Sequence, residues 1–181
     1  MKAKTTITEA LAELKTLDKR IESTRDFILR YGIRQGSTID PLADEGGSDA
    51  EIPRRMQSLS DLLQRKVDIR TAINAVNATT TLEVAGIKRT VAEWIVWRRE
   101  AFKQELDAYQ RLQQQITAAR KDCANKNLTI REDGQQPTKV TEVSCFIKEG
   151  QIQKNIERLT TIESTLDGQL SRINATTTVE I

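Results

Sequence analysis

Asn77-Ala78-Thr79-Thr80-Thr81-Leu82-Glu83-Val84 returns near the other end of the sequence as Asn174-Ala175-Thr176-Thr177-Thr178-Val179-Glu180-Ile181. The apolar residues ahead of each copy share a spacing as well. Leu62, Ile69, Ile73 and Val76 precede the first copy; Leu159, Leu166, Leu170 and Ile173 precede the second. Intervals of three, four and seven keep one helical face apolar. Thr and Val, branched at Cβ, favour the pleated strand. The repeat therefore predicts two helices with one kind of exit: helix, Asn cap, short strand. Asn tolerates the left-handed conformation that ends helices, which assigns Asn77 and Asn174 as C-caps. That role also accounts for the match of both Asn-Ala-Thr triplets to the glycosylation acceptor pattern. The simplest arrangement places Thr79–Val84 and Thr176–Ile181 in one small sheet at one end of a helical bundle.

The rest of the chain is read outward from these exits. Ile7, Ala10, Leu14, Leu17, Ile21, Thr24, Ile28 and Tyr31 form a heptad-like seam and predict a first helix. Thr6 and Glu9 fit a capping box, and Gly32 ends the helix. Residues 32–51 hold Gly36, Pro41, Gly46 and Gly47 and read as a Gly/Asp-rich loop. A second helix begins near Pro53, with Leu59 and Leu62 leading its seam, Leu63 beside it and Lys66 interrupting it. Residues 77–90 read as a β-hairpin turning at Ala85-Gly86, after which Thr90 and Glu93 cap a third helix over about 91–124. Its stripe is Val91, Ile95, Phe102, Leu106, Tyr109, Leu112, Ile116 and Ala119, flanked by Trp94 and Trp97. At 1.5 Å per residue it spans ~50 Å, longer than a compact sphere of this chain length accommodates. Residues 125–147 read as a loop, ending near Pro137, and a strand from Val140 to Ile147. A fourth helix covers about 148–173, with Ile152, Ile156, Leu159, Leu166, Leu170 and Ile173 inward. Residues 174–181 form the C-terminal strand. The expected fold is mainly α: one elongated domain, 1–181, of about four long coiled-coil-like helices with a small hairpin or sheet at one end.

Composition narrows the functional classes. Only 4% of residues are aromatic while 30% are charged, which suits narrow Leu/Ile seams better than an α/β enzyme core. No residue is His, so the commonest general base and metal ligand is absent. Cys123 and Cys145 make no CxxC pair; they are read as free thiols, with a disulfide open if the segments fold together. No metal or cofactor is expected. Met1 to Thr6 is polar, unlike a signal peptide, and no 18-residue apolar run exists. The expectation is a protein made in the cytosol, with no membrane partner. Net charge is +2, but its distribution is uneven. Asp40, Asp44, Glu45, Asp49 and Glu51 cluster without a basic residue, while residues 54–103 carry ten Lys/Arg against five Asp/Glu. The first block reads as a solvated acidic loop or as a clasp on a basic face of a neighbouring subunit.

Leu17-Asp18-Lys19-Arg20-Ile21, the run Ile73 to Thr79, Thr90 opening the third helix, and the tail from Leu166-Asp167 to Asn174-Ala175-Thr176 resemble the septicolysin-like family of small bacterial helical proteins. The likeness spans most of the chain. The family name implies a pore-forming toxin; no catalytic residue follows from the resemblance, and no apolar segment here matches that activity.

The residues favour a non-catalytic, oligomeric structural or assembly protein, most concretely a phage-type virion component in a neck, tail or fibre attachment. Its partners are copies of itself and other structural proteins. The candidate contact residues are Asp40, Asp44, Glu45 and Asp49 in the loop, and Thr79, Thr80, Thr81, Thr176, Thr177 and Thr178 at the exits. A cytoplasmic septicolysin-like protein is one alternative. Nucleic-acid binding is another, through Arg54, Arg55, Arg65, Lys66, Lys88, Arg89, Arg98 and Arg99 with Trp94 and Trp97 for stacking; packing of those indoles on the hairpin competes with it, so nucleic acid is an unlikely partner. Glu93, Glu100 and Asp107, seven apart on one helix face, are the sole acid–base candidates, and surface ion pairs account for them.

Overall fold

A computed structural model describes residues 4–36, 39–131, 136, 139 and 141–181. The fold is mainly α, with four long helical segments and small two-stranded sheets. In chain order the elements are β1 (Lys4–Thr6), α1 (Ile7–Tyr31), a 3-10 turn (Ala43–Glu45), α2 (Ser48–Thr79), β2 (Thr81–Val84), β3 (Ile87–Thr90), α3 (Val91–Val96), a π turn (Trp97–Ala101), α4 (Phe102–Lys126), β4 (Thr129–Arg131), β5 (Glu142–Ser144), α5 (Glu149–Thr176) and β6 (Thr178–Glu180). The sequence reads as a single domain, whereas the chain gathers into two compact units. Unit 1 is Met1–Thr79 with Ser171–Ile181; unit 2 is Thr80–Leu170.

In unit 1, α1 and α2 form an antiparallel hairpin. The predicted capping box is present: the Glu9 N–H donates to Thr6 Oγ1 at 3.2 Å, and the Thr6 N–H donates to Glu9 Oε2 at 2.8 Å. The α1 seam buries Ile7, Ala10, Leu14 and Leu17 against Leu62, Ile69 and Ile73 of α2 and Val179 of β6. Each of the Leu, Ile and Val side chains contributes about 1.5–3 kcal/mol on burial. Lys66, the polar residue in the α2 seam, reaches Asp18, and Arg65 pairs with Glu13 at 2.9 Å. Helix α2 begins five residues before the expected Pro53, so the loop is shorter than 32–51. The early start has a cause: Asp40 accepts from the Ser48 N–H at 2.7 Å and the Ser48 hydroxyl at 2.6 Å. A loop carboxylate thus satisfies a donor that a helix start leaves free.

In unit 2, β2 and β3 form the expected hairpin. Ala85 and Gly86 both take positive φ, 51° and 77°, the signature of a type I′ turn. Thr90 and Glu93 repeat the capping box. The third helix is one continuous run, broken in regularity by the π turn. Its inward residue near the start is Trp94, fully buried, and not the expected Ile95, which is exposed. The Trp94 indole N–H donates to the Leu82 carbonyl at 3.1 Å, so the large ring is accommodated in the core with its polar edge satisfied. Antiparallel to this helix, α5 is held by Arg98 to Glu163 and Asp167, and by Arg158 to Glu105. Strand β5 covers Glu142–Ser144 within the predicted 140–147; it pairs in parallel with β4, a stretch that reads as loop from sequence. Val140 and Pro137 lie outside the described residues.

Two expectations about the exits are corrected. The Thr-rich strands do not share a sheet: β2 pairs with β3, and β6 pairs with β1. Each takes the strand that immediately precedes a capping box. Nor do Asn77 and Asn174 cap their helices, which run on to Thr79 and Thr176. The Thr79 and Thr176 hydroxyls donate back to carbonyls in their own last turns, a bond that helix interiors allow to Thr. The left-handed Asn cap is Asn127, after α4.

Candidate functional site

The expected contact residues fall into three settings. Thr81 lies opposite Thr90 in the β2–β3 ladder and Thr178 opposite Thr6 in β1–β6. The carbonyls of Thr80 and Thr177 accept from Val91 and Ile7 respectively, at 2.9 and 3.0 Å. With Thr79 and Thr176 turned onto their own helices, the backbone of both exits closes the chain's own fold. Asp40 is also turned inward: besides Ser48 it accepts from the Leu42 N–H, and Arg34 lies 3.4 Å away. These bonds, the Ser48 hydroxyl first, hold its carboxyl down at about 2. Glu51 is buried under Arg54 and Arg55, and the hydrogen bond from Arg55 leads in lowering its pKa. Asp44, Glu45 and Asp49 remain exposed, the first two on the 3-10 turn.

The same end of unit 1 carries an apolar surface that the sequence reading did not single out. Ile33 is 91% exposed, Ile39 90%, Leu29 74% and Met56 58%. That Met56 belongs to this end follows from its neighbour: the Arg55 guanidinium stacks 4.6 Å from the centre of the Phe27 ring. Phe27 in turn packs on Tyr31 at 4.8 Å. Isolated exposed aliphatics are ordinary; four at one hairpin end form a candidate contact surface. The end of α1 and the loop after it also carry exposed cations, Arg25, Arg30 and Arg34, and exposed anions, Asp44 and Glu45. A signal was available in the sequence: Leu29, Ile33 and Ile39 lie off the α1 seam or beyond it.

The basic surplus over 54–103 is largely paired. Arg54 and Arg55 bind Glu51, Arg65 binds Glu13, Lys66 binds Asp18, Arg98 binds Glu163 and Asp167, and Arg99 binds Glu100. Trp94 offers no exposed face for a base. Among Glu93, Glu100 and Asp107, the first serves the capping box, and Thr90's N–H leads in lowering its pKa; the others pair with Arg99 and Arg111. Cys123 and Cys145 are both free thiols. Among the described residues no helix is long and apolar enough to cross a membrane.

No protein-family profile matches the chain, and no curated protein matches it. It is similar in fold to the crystal structure of a functionally unknown conserved protein from Corynebacterium diphtheriae, with a TM-score of 0.59 at 18% identity over 98% of this chain and 100% of that one. At that identity the likeness carries the fold alone.

Proposed function

We propose that the protein is a non-catalytic assembly protein that binds a second copy of itself through the open end of the α1–α2 hairpin. The observation that carries this is the exposure of Leu29, Ile33, Ile39 and Met56 at one end. Charge argues for a copy as the occupant. A two-fold contact sets one patch against itself, and a rim holding both Arg30 and Asp44 or Glu45 supplies opposite charges to its own image. A rim of one sign would repel it. The acidic loop then works as a clasp through Asp44 and Glu45, while Asp40 shapes it. The concrete form we favour is a phage-type virion component.

Sedimentation velocity over a hundredfold concentration range is the test. Wild type is expected to associate, and the Ile33→Asp, Ile39→Asp double variant to remain monomeric with unchanged helix content. A wild-type monomer throughout sinks the reading. The two-fold contact closes as a dimer, so the virion form needs a second contact: dimers joined into ordered rings or fibres in negative-stain images would support it, and dimers that go no further would remove it.

A further inference from the structure

Unit 2 contains a narrow cavity of about 100 Å³ where β3, the start of the third helix and α5 meet. Arg89, Trp94, Trp97, Glu105 and Arg158 supply its polar wall and Leu159 closes the back. The Arg89 guanidinium lies over the Trp94 indole, 5.0 Å from the ring centre. Trp94 is itself fixed by its bond to Leu82, and Trp97 stands edge-on to it at 5.4 Å. Stacking occupies the face of the guanidinium and leaves its in-plane N–H groups free to donate. Among the described residues the Arg89 guanidinium has no ion pair or hydrogen bond at contact distance; the Glu93 carboxylate feels its charge from farther off. The nearby Glu93 carboxylate is held by Thr90. Arg158 adds a second cation, attached to Glu105 through one contact at 3.2 Å. The wall therefore bears two positive charges and one negative.

The other copy of the repeat shows that the fold does not need this arrangement. Thr5 faces Val179 in the β1–β6 ladder as Arg89 faces Leu82 in β2–β3. Five residues later, Ala10 takes the buried position that Trp94 takes. Unit 1 closes the same junction with Thr and Ala. Both tryptophans of the chain are at the unit 2 junction. Helix regularity differs there too: the inward series Ile7, Ala10, Leu14, Leu17 corresponds to Val91, Trp94, Arg98, Phe102, whose last interval is one residue longer. The π turn Trp97–Ala101 takes up the extra residue, and such turns are frequent at functional sites.

We infer that this cleft binds a small oxyanion, gripped by the N–H edge of Arg89 with Arg158 as second donor. The volume holds about three waters at ~30 Å³ each, the size of one carboxylate or phosphate group. Two guanidinium forks suit either group. Because Trp94 and Trp97 are the sole tryptophans, fluorescence excited selectively at tryptophan reports this place and not Tyr31 or Tyr109. The experiment titrates the full chain with inorganic phosphate, and separately with acetate, at constant ionic strength. A saturable change is expected with at least one. Arg89→Gln should weaken it at least tenfold, Glu105→Gln should tighten it by removing the competing carboxylate, and Arg99→Gln, on the exposed surface, should leave it unchanged. The phosphate and acetate arms separate a tetrahedral from a planar ligand. No saturable response to either anion overturns the inference, as does a response that Arg89→Gln retains. Should Arg89→Gln fail to fold, weaker or unchanged binding in Glu105→Gln overturns it equally.

Discussion

Asp40 shows how one side chain organises a loop that composition alone describes as a breaker region. Its carboxylate takes two donors from Ser48 and one from Leu42, and these bonds exist only in the folded chain. The folded pKa, about 2, lies below the ordinary value of 3.8. A group depressed on folding stabilises fully above its unfolded pKa, and that contribution is lost as pH falls through the folded one. Thermal stability of the wild type should therefore fall between about pH 4 and pH 2, and Asp40→Asn should flatten that part of the profile. A variant with the wild-type slope would show that other carboxylates dominate acid sensitivity. This carboxylate was legible as an acidic residue but not as a cap, because its partner Ser48 is eight residues away and helix-start signals act over three. Thr6 with Glu9 and Thr90 with Glu93 were legible for the converse reason: each box is complete within four consecutive residues.

At the scale of elements, periodicity located α1, α2 and α5 because their inward residues recur at three and four. It misplaced one inward position of the third helix. The miss is Ile95, expected inward and exposed where Trp94 is buried; Phe102 and Ile116 of the predicted stripe are buried beyond the π turn, with Cys123 in addition. No residue type marks such a turn in advance. Bulk decided the remainder, since Trp94 removes more apolar area from water than Ile95. Strand β5 was legible within 140–147, but its parallel partner β4 was not, because a three-residue strand carries too few alternations to read. Gly168 tests the helical assignment of α5. It lies within α5, exposed, with no atom within 4 Å of the position a Cβ would take. Gly168→Ala should stabilise unit 2 by about 1 kcal/mol, the usual propensity difference, as read by urea unfolding. Destabilisation instead would mean that the glycine is needed for something other than helix geometry.

Across the whole molecule, the two exits are one device used twice. Each consists of a helix, a Thr-rich strand and a partner strand leading into a capping box, in matching register: Thr6 with Thr178 corresponds to Thr90 with Thr81, and Lys4 with Glu180 to Lys88 with Glu83. The duplication was legible from the Asn-Ala-Thr-Thr-Thr repeat. The pairing was not, because the partners Lys4–Thr6 and Ile87–Thr90 share with each other little beyond a Lys, a Thr and the box that follows. The sheets anchor different units: Val179 belongs to the core cluster that holds Ile7, whereas Leu82 accepts from Trp94. Removing two methyl groups from buried Val179 costs about 2 kcal/mol by transfer and cavity terms, and Leu82→Ala costs about 2–5 kcal/mol. If the repeats are separate cooperative units, Val179→Ala should speed amide exchange in β1 and α1, and Leu82→Ala in β3 and α3. Uniform acceleration of both sets by either substitution would show that the chain opens as a single cooperative unit.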